Sequence, residues 1–149
     1  MEFDVDRLMA LWDEPPGGAE TDAAFRQVYA DPVVLNGTPA TVAVLVAMAR
    51  GLHRAVADQS REVRDIFVTP GRAAVAFVVR GRHVGPLPTR IGTVPASGQL
   101  IEMSVIDMFT LVDGLIAEVW AVSDELGLLS SVGAVTLTGE PATTVETPE

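Results

Sequence analysis

Few polar side chains in this chain stand where they could do chemistry, and Asp107 is the foremost. Met103, Val105, Asp107, Phe109 and Leu111 alternate along one stretch, so in a strand they share a face. A carboxylate in the middle of such an apolar stripe is costly to bury ionised and unpaired, so it should titrate high and hold its proton. A neutral carboxylic acid in an apolar cavity can polarise a carbonyl or protonate a leaving oxygen. The competing reading is a core aspartate satisfied by backbone or by an arginine, and the residues alone leave both open. His83 is the second candidate. It follows Val75, Phe77 and Val79 on the same face of the neighbouring strand, where it could serve as a base. His53 lies on a helix near its apolar stripe, and for either histidine a purely structural role competes with a catalytic one. Asn36 could point into the same interior, although Asn36-Gly37 is also common turn chemistry.

Composition narrows the field. Ten basic against twenty acidic residues leave a formal charge of −10, which repels nucleic acid and anionic membrane surfaces. There is no cysteine, which excludes disulfides, thiol nucleophiles and thiolate metal sites. Every positive charge is an arginine, so Schiff-base chemistry and a P-loop lysine are excluded too. Two histidines without a supporting carboxylate spacing make no metal site, and no glycine-rich phosphate cradle occurs. The longest apolar run, Val42 to Ala49, is too short to span a bilayer. Met1-Glu2-Phe3-Asp4 places no basic region ahead of an apolar one. The expectation is a soluble cytoplasmic protein whose partner is a small molecule.

The elements that must position these residues are legible in outline. Asp4 caps a first helix with Val5, Leu8, Met9 and Trp12 on one face, broken by Pro15-Pro16-Gly17-Gly18. Thr21 is expected to cap a second helix presenting Ala24, Phe25, Val28 and Tyr29, which Asp31-Pro32 stops before a short strand, Val33 to Leu35. Thr38-Pro39 predicts the start of a third helix, whose buried stripe is Val42, Leu45, Val46, Ala49, Leu52 and Val56. The pattern then changes to period two. It gives strands over 61–68, 72–84, 100–111 and 115–123, with turns at Thr69-Pro70-Gly71 and Asp113-Gly114. Glu62, Arg64 and Asp65 read as a charged, exposed strand edge. The Pro- and Gly-rich stretch 85–98, with Arg90 in its middle, is long enough to act as a lid. Asp124 caps a last turn over 126–132.

Three helices followed by a meander define an α+β domain over residues 1–135. The expected architecture is a cone-shaped curved antiparallel sheet closed by three N-terminal helices. Its open end would lead to an apolar interior suited to a small-molecule site. Residues 136–149, mostly Thr, Pro and Glu, are expected to form a disordered acidic tail.

The residues also carry a resemblance. Gly81-Arg82-His83-Val84-Gly85, then Pro95-Ala96-Ser97-Gly98, Ile106, Val112-Asp113-Gly114, Ile116, Leu128-Leu129 and Val132-Gly133 resemble the SnoaL-like polyketide cyclases of the nuclear transport factor 2-like superfamily. The resemblance implies a cone fold, a homodimer, no cofactor, and cofactor-free ring closure on an apolar polyketide. The aspartate that such cyclases carry on the last strand is matched here by Ala121, and their partner histidine by Asp107. Val105-Ile106-Asp107-Met108 is also similar to the ketosteroid isomerase strand bearing a protonated aspartate, a standard case of a carboxylic acid kept neutral by its surroundings. The base of those isomerases falls close to Asn36, which cannot act as one. Asp107 as acid and His83 as base are therefore the expected catalytic pair. Asn36, Phe77, Met103, Phe109 and Ala121 are the expected substrate contacts. An epoxide-opening enzyme of the same fold and a non-catalytic binding protein are the alternatives.

Because positions 107 and 121 match catalytic positions, they are expected to share a face. That favours a three-residue loop, Val112-Asp113-Gly114, pairing Leu111 with Leu115 and Asp107 with Val119. Ile116, Glu118 and Trp120 would then point outward beside Ile106 and Met108, an apolar patch suited to a symmetric homodimer.

Overall fold

The protein is described by a computed structural model covering residues 3–139, so the end of the expected tail, 140–149, lies outside the described residues. The elements run α1 (Val5–Asp13), α2 (Glu20–Arg26), β1 (Tyr29–Leu35), β2 (Thr38–Ala40), α3 (Val42–Ala55), β3 (Val56–Thr69), β4 (Arg72–His83), β5 (Leu87–Thr89), β6 (Gly92–Val94), β7 (Leu100–Val112), β8 (Leu115–Ser123) and α4 (Glu125–Ser131). Six strands form one curved sheet in the order β2-β1-β8-β7-β4-β3, and β5 and β6 form a separate hairpin. The sheet is mixed, since β1 runs parallel to β8 while every other pairing is antiparallel. Helices α1 to α3 close its concave face, and the C-terminal α4 adds a fourth helix at the open end.

Local chemistry explains most boundaries. The Asp4 carboxylate accepts from the Arg7 N–H at 2.9 Å, capping α1 as expected, and Asp124 accepts from the Gly127 N–H at 2.9 Å, capping α4. Pro70 and Gly71, the latter at φ 77°, turn β3 into β4.

Two expected caps are displaced. Thr21 lies inside α2, buried, with its hydroxyl donating to the carbonyls of Pro16 and Gly18 rather than accepting at the helix start. Thr38-Pro39 forms the edge strand β2 instead of a helix start, because Asn36 (φ 47°) and Gly37 (φ 83°) make a tight hairpin from β1. Pro39 is tolerated at an edge, and the cap passes to Thr41, whose hydroxyl accepts from the Val44 N–H at 3.4 Å. Tyr29 begins β1 rather than ending the second helix.

The β7–β8 register differs from that of the expected three-residue loop. Asp113 (φ 51°) and Gly114 (φ 77°) form a two-residue turn with Val112 opposite Leu115. A bulge then leaves Ala117 unpaired: Leu111 faces Ile116, but Thr110 faces Glu118. From there Asp107 lies opposite Ala121, on the same face, and Trp120 points outward beside Met108. Ile116, expected outside, lies on the core side of the bulge and is 1% exposed.

The sheet's curvature is concentrated in β3, whose pairing with β4 shifts at Asp58 (φ 54°) and again between Val63 and Asp65. At the first bend β3 folds closely over Gly81 of β4. A Cβ there would meet the Val56 side chain and lie 2.8 Å from the Ala57 carbonyl oxygen. Gly81→Ala should therefore destabilise the fold by about 1–3 kcal/mol, read as a lower urea midpoint at unchanged slope.

Candidate active site

The concave face and the helices enclose a cavity of about 630 Å³. Its inner wall is built by α1 (Leu8, Met9, Trp12), the start of β1 (Tyr29) and the inward faces of β3, β4, β7 and β8. Its mouth is formed by Leu87 to Arg90 of the β5–β6 hairpin together with Glu125 and Leu128 of α4. The 85–98 stretch thus lies at the cavity mouth, as a lid would, and is fastened there at a few points. Leu87 and Val94 are buried against Ile101 and Leu128, and the Arg90 N–H donates to Glu125 Oε1 at 3.1 Å.

Asp107 lines this cavity from the middle of β7, between Val75 of β4 and Ala121 of β8. One carboxylate oxygen, Oδ1, is buried without a hydrogen-bond partner among the described residues. Burial raises its pKa from 3.8 to about 6, against a smaller opposing pull from the positive charge of Arg61. No arginine comes within ion-pair distance of it among the described residues. The core aspartate satisfied by an arginine is not what the fold builds.

Around Asp107 stands a polar group assembled from three distant elements. Trp12 Nε1 donates to Tyr29 Oη at 2.8 Å, so the tyrosine hydroxyl has an acceptor role filled and its own proton free to donate. Burial, and secondarily the charge of Asp107, hold the Tyr29 phenol above its usual range, while the Trp12 hydrogen bond pulls the other way. Arg61 Nη1 donates to Asp13 Oδ1 at 2.7 Å and to Gln59 Oε1 at 3.2 Å, and the guanidinium carbon lies 6.0 Å from the Trp12 ring centroid. His53 bonds the Trp12 carbonyl through Nε2 at 2.7 Å and serves the scaffold.

Of the expected substrate contacts, Asn36, Phe77, Met103 and Ala121 line the cavity. Asn36 Oδ1 accepts from the Ala121 N–H at 2.8 Å, so this side chain also ties β8 to the β1–β2 turn. Phe109 does not line it. It is 1% exposed, packed on Phe3 at 5.4 Å between ring centroids, and belongs to the core beneath.

His83 is likewise outside. It shares the face of Val75 but lies roughly eight residues further along β4, about 26 Å at the usual strand rise. There it is buried, with Nδ1 bonded to Ser97 Oγ at 2.8 Å and accepting from the Ser97 N–H at 3.3 Å. It anchors the end of the 85–98 segment and does not meet Asp107.

Trp12, Tyr29 and Arg61 were not singled out by the sequence. Arg61 carried a signal, since Gln59, Arg61 and Val63 share one period-two face of β3 and Val63 packs on the core. Among the described residues no three His, Asp or Glu side chains converge as a metal site would require.

A cone of helices and curved sheet around a ligand-sized cavity defines the nuclear transport factor 2-like class. The SnoaL-like polyketide cyclase family matches over residues 7–132, and the chain belongs to that family. TsrD of Streptomyces laurentii is similar at 25% identity and a TM-score of 0.76, covering 88% of this chain and 92% of TsrD. IdmH of Streptomyces antibioticus, a proposed polyketide cyclase, is similar at 23% identity and a TM-score of 0.68, covering 87% of this chain and 95% of IdmH. AclR of Streptomyces galilaeus, a proposed hydroxylase, shares 21% identity at a TM-score of 0.68, covering 89% of this chain and 94% of AclR. No curated protein matches the chain.

The state of Asp107 has a measurable consequence for stability. Folded, it holds its proton to about pH 6; unfolded, it releases it near the ordinary value of 3.8. Between those limits the folded state binds more protons, so Asp107's contribution to stability falls as pH rises through the window. Asparagine does not titrate. Asp107→Asn should therefore be the more stable protein above pH 7 by about 2–3 kcal/mol, an advantage that shrinks towards pH 4 in urea titrations.

Proposed function

We propose that the chain is a polyketide-tailoring cyclase or isomerase that closes a ring on an apolar intermediate by cofactor-free acid–base chemistry, with Asp107 as the acid. The observation that carries this reading is the partnerless, buried Oδ1 of Asp107 on an apolar cavity wall. A carboxyl group with a pKa near 6 exchanges its proton close to neutral pH, where general acid catalysis is most effective. In a ring closure, Asp107 gives its proton to the electrophilic carbonyl oxygen as the enol carbon of the same chain adds to the carbonyl carbon. The enol hydroxyl then loses its proton, which restores Asp107, so protons balance over the cycle. Tyr29 supplies a second donor at the developing oxygen charge. Ala121, opposite Asp107, leaves space for the folded chain.

Asp107→Asn should lower turnover of a linear polyketide precursor by roughly two to four orders of magnitude with the fold retained. In the parent protein kcat/KM should fall as pH rises through about 6, because the protonated form is the active one. Unchanged turnover in the variant would defeat the acid role. It would leave the cavity as a ligand carrier, a reading favoured by the absence of a second carboxylate at Ala121.

The same reading pairs two copies of the chain. Ile106, Met108, Trp120 and Val122 lie exposed together on the outer face of β7 and β8, with Val122 at 74%. Sedimentation should give a dimer at micromolar concentration, and Val122→Arg should shift it towards monomer; a monomeric parent protein would refute the pairing.

A further inference from the structure

The polar groups of the cavity are unevenly engaged, and Arg61 is the clearest case. It lines the cavity from β3 with a side chain only 5% exposed. Asp13 takes part of it: Nη1 donates one proton to Oδ1 at 2.7 Å, and the Arg61 backbone N–H donates to Oδ2 at 3.2 Å. Gln59 Oε1 takes the remaining Nη1 proton at 3.2 Å. Nε and Nη2 make no hydrogen bond among the described residues. Neither is sealed in the protein, since the fully buried orphan polar atoms are His83 Nε2 and Asp107 Oδ1.

An arginine buried to this degree ordinarily spends its donors, because each one left bare in a low-dielectric wall forfeits solvation. The free Nε–Nη2 edge presents two parallel N–H groups spaced to match the two oxygens of one carboxylate. Carboxylates are abundant in a chain of charge −10, yet among the described residues only that of Asp13 comes within 4.0 Å of the guanidinium. Position adds a second constraint. Arg61 pairs with Val79, and Val79 with Met103, whereas Asp107 pairs with Val75, so the two charged groups stand at different heights on one wall. A single ligand can engage both only through two separate oxygen-bearing groups.

We propose that the Nε–Nη2 edge of Arg61 anchors a carboxylate of the substrate, so that the cavity selects polyketide acids over the corresponding neutral esters. The proposal rests on the reading of this cavity as the substrate site and adds the class of substrate it takes. The anchored carboxylate and the carbonyl presented to Asp107 are then different groups of one molecule, with the apolar chain between them lying along Phe77, Met103 and Val105. An anion held at Arg61 also offsets the positive charge that opposes protonation of Asp107, which keeps the acid in its working form.

The test is calorimetric titration of the full chain at pH 7 with naphthoate and with its methyl ester. The acid should bind the parent protein roughly tenfold or more tightly than the ester. Arg61→Gln should erase that preference while leaving the ester's affinity within about twofold, and Arg61→Lys, which keeps the charge but lacks the fork, should lose most of it. Asp13→Asn leaves the fork and removes a competing anion, so it should keep or enlarge the preference. Equal binding of acid and ester to the parent protein overturns the proposal. So does a loss in Arg61→Gln that falls equally on both probes, since that would mark Arg61 as scaffold only. Binding of neither probe overturns the cavity reading and the carboxylate anchor together. The turnover of Asp107→Asn judges the acid role separately, because it does not depend on which probe binds.

Discussion

The site depends on one residue of slack in β8. This strand is held from both sides, antiparallel by β7 and parallel by β1, and each pairing shifts register between Ile116 and Glu118. Without the unpaired Ala117, the tight Asp113-Gly114 turn would place Trp120 opposite Asp107 and drive its indole into the cavity. The bulge lets both ends of the strand face correctly: Ile116 fills the core near the turn, while Val119 and Ala121 face the cavity further along. Asn36 fixes the result, since its side chain accepts from the Ala121 N–H and its own N–H donates to the Val119 carbonyl at 2.9 Å. A residue expected to touch substrate is thus also the clamp that keeps Ala121 opposite Asp107.

Within that frame the cavity is held open against the tendency of apolar walls to close. Trp12, Tyr29 and Phe25 form an aromatic series with centroid separations of 5.4 and 6.0 Å, tying α1, α2 and β1 into one rigid side. The Asp13–Arg61 pair joins the end of α1 to β3. Breaking such a pair by removing one partner leaves a charge in a poorly solvated place, so the pair also fixes where α1 ends relative to the sheet. Against these, Asp107 is a local liability. Its burial costs stability when it ionises, and a carboxyl that holds its proton to about pH 6 rather than 3.8 is what proton donation near neutral pH requires.

Period-two patterning made β4, β7 and β8 legible to within a residue, while β3 begins five residues earlier than expected, at Val56; the stripe around Asp107 placed it on the inner face. The failures have physical causes. His83 shared that face by parity, but parity carries no information about distance along a strand, and its sheet neighbour is Val56 at the far end. Phe109 had the right parity too, yet Phe3 and the core occupy its side of the wall. Thr38-Pro39 matched a helix start because capping chemistry is local, while the hairpin formed by Asn36-Gly37 competes for the same residues. Tyr29 and Trp12 read as helix-face packing because the hydrogen bond between them joins elements whose approach is set only by the tertiary fold.

The protonation state of Asp107 follows from how the positive charge is distributed. Arg61 stands near enough to pull the carboxyl pKa down but is ion-paired with Asp13 rather than with Asp107, so burial prevails and the group stays near 6. Had Arg61 paired directly with Asp107, the carboxylate would be fixed as an anion and lost as a proton donor at neutral pH. Had Arg61 been absent, nothing would oppose burial, and the group would bind its proton more firmly and yield it less readily. Asp13, at the end of α1 and outside the catalytic pair expected from the sequence, holds the arginine whose charge opposes burial at Asp107. The chemistry of a β7 carboxylate is in this way tied to the packing of the first helix.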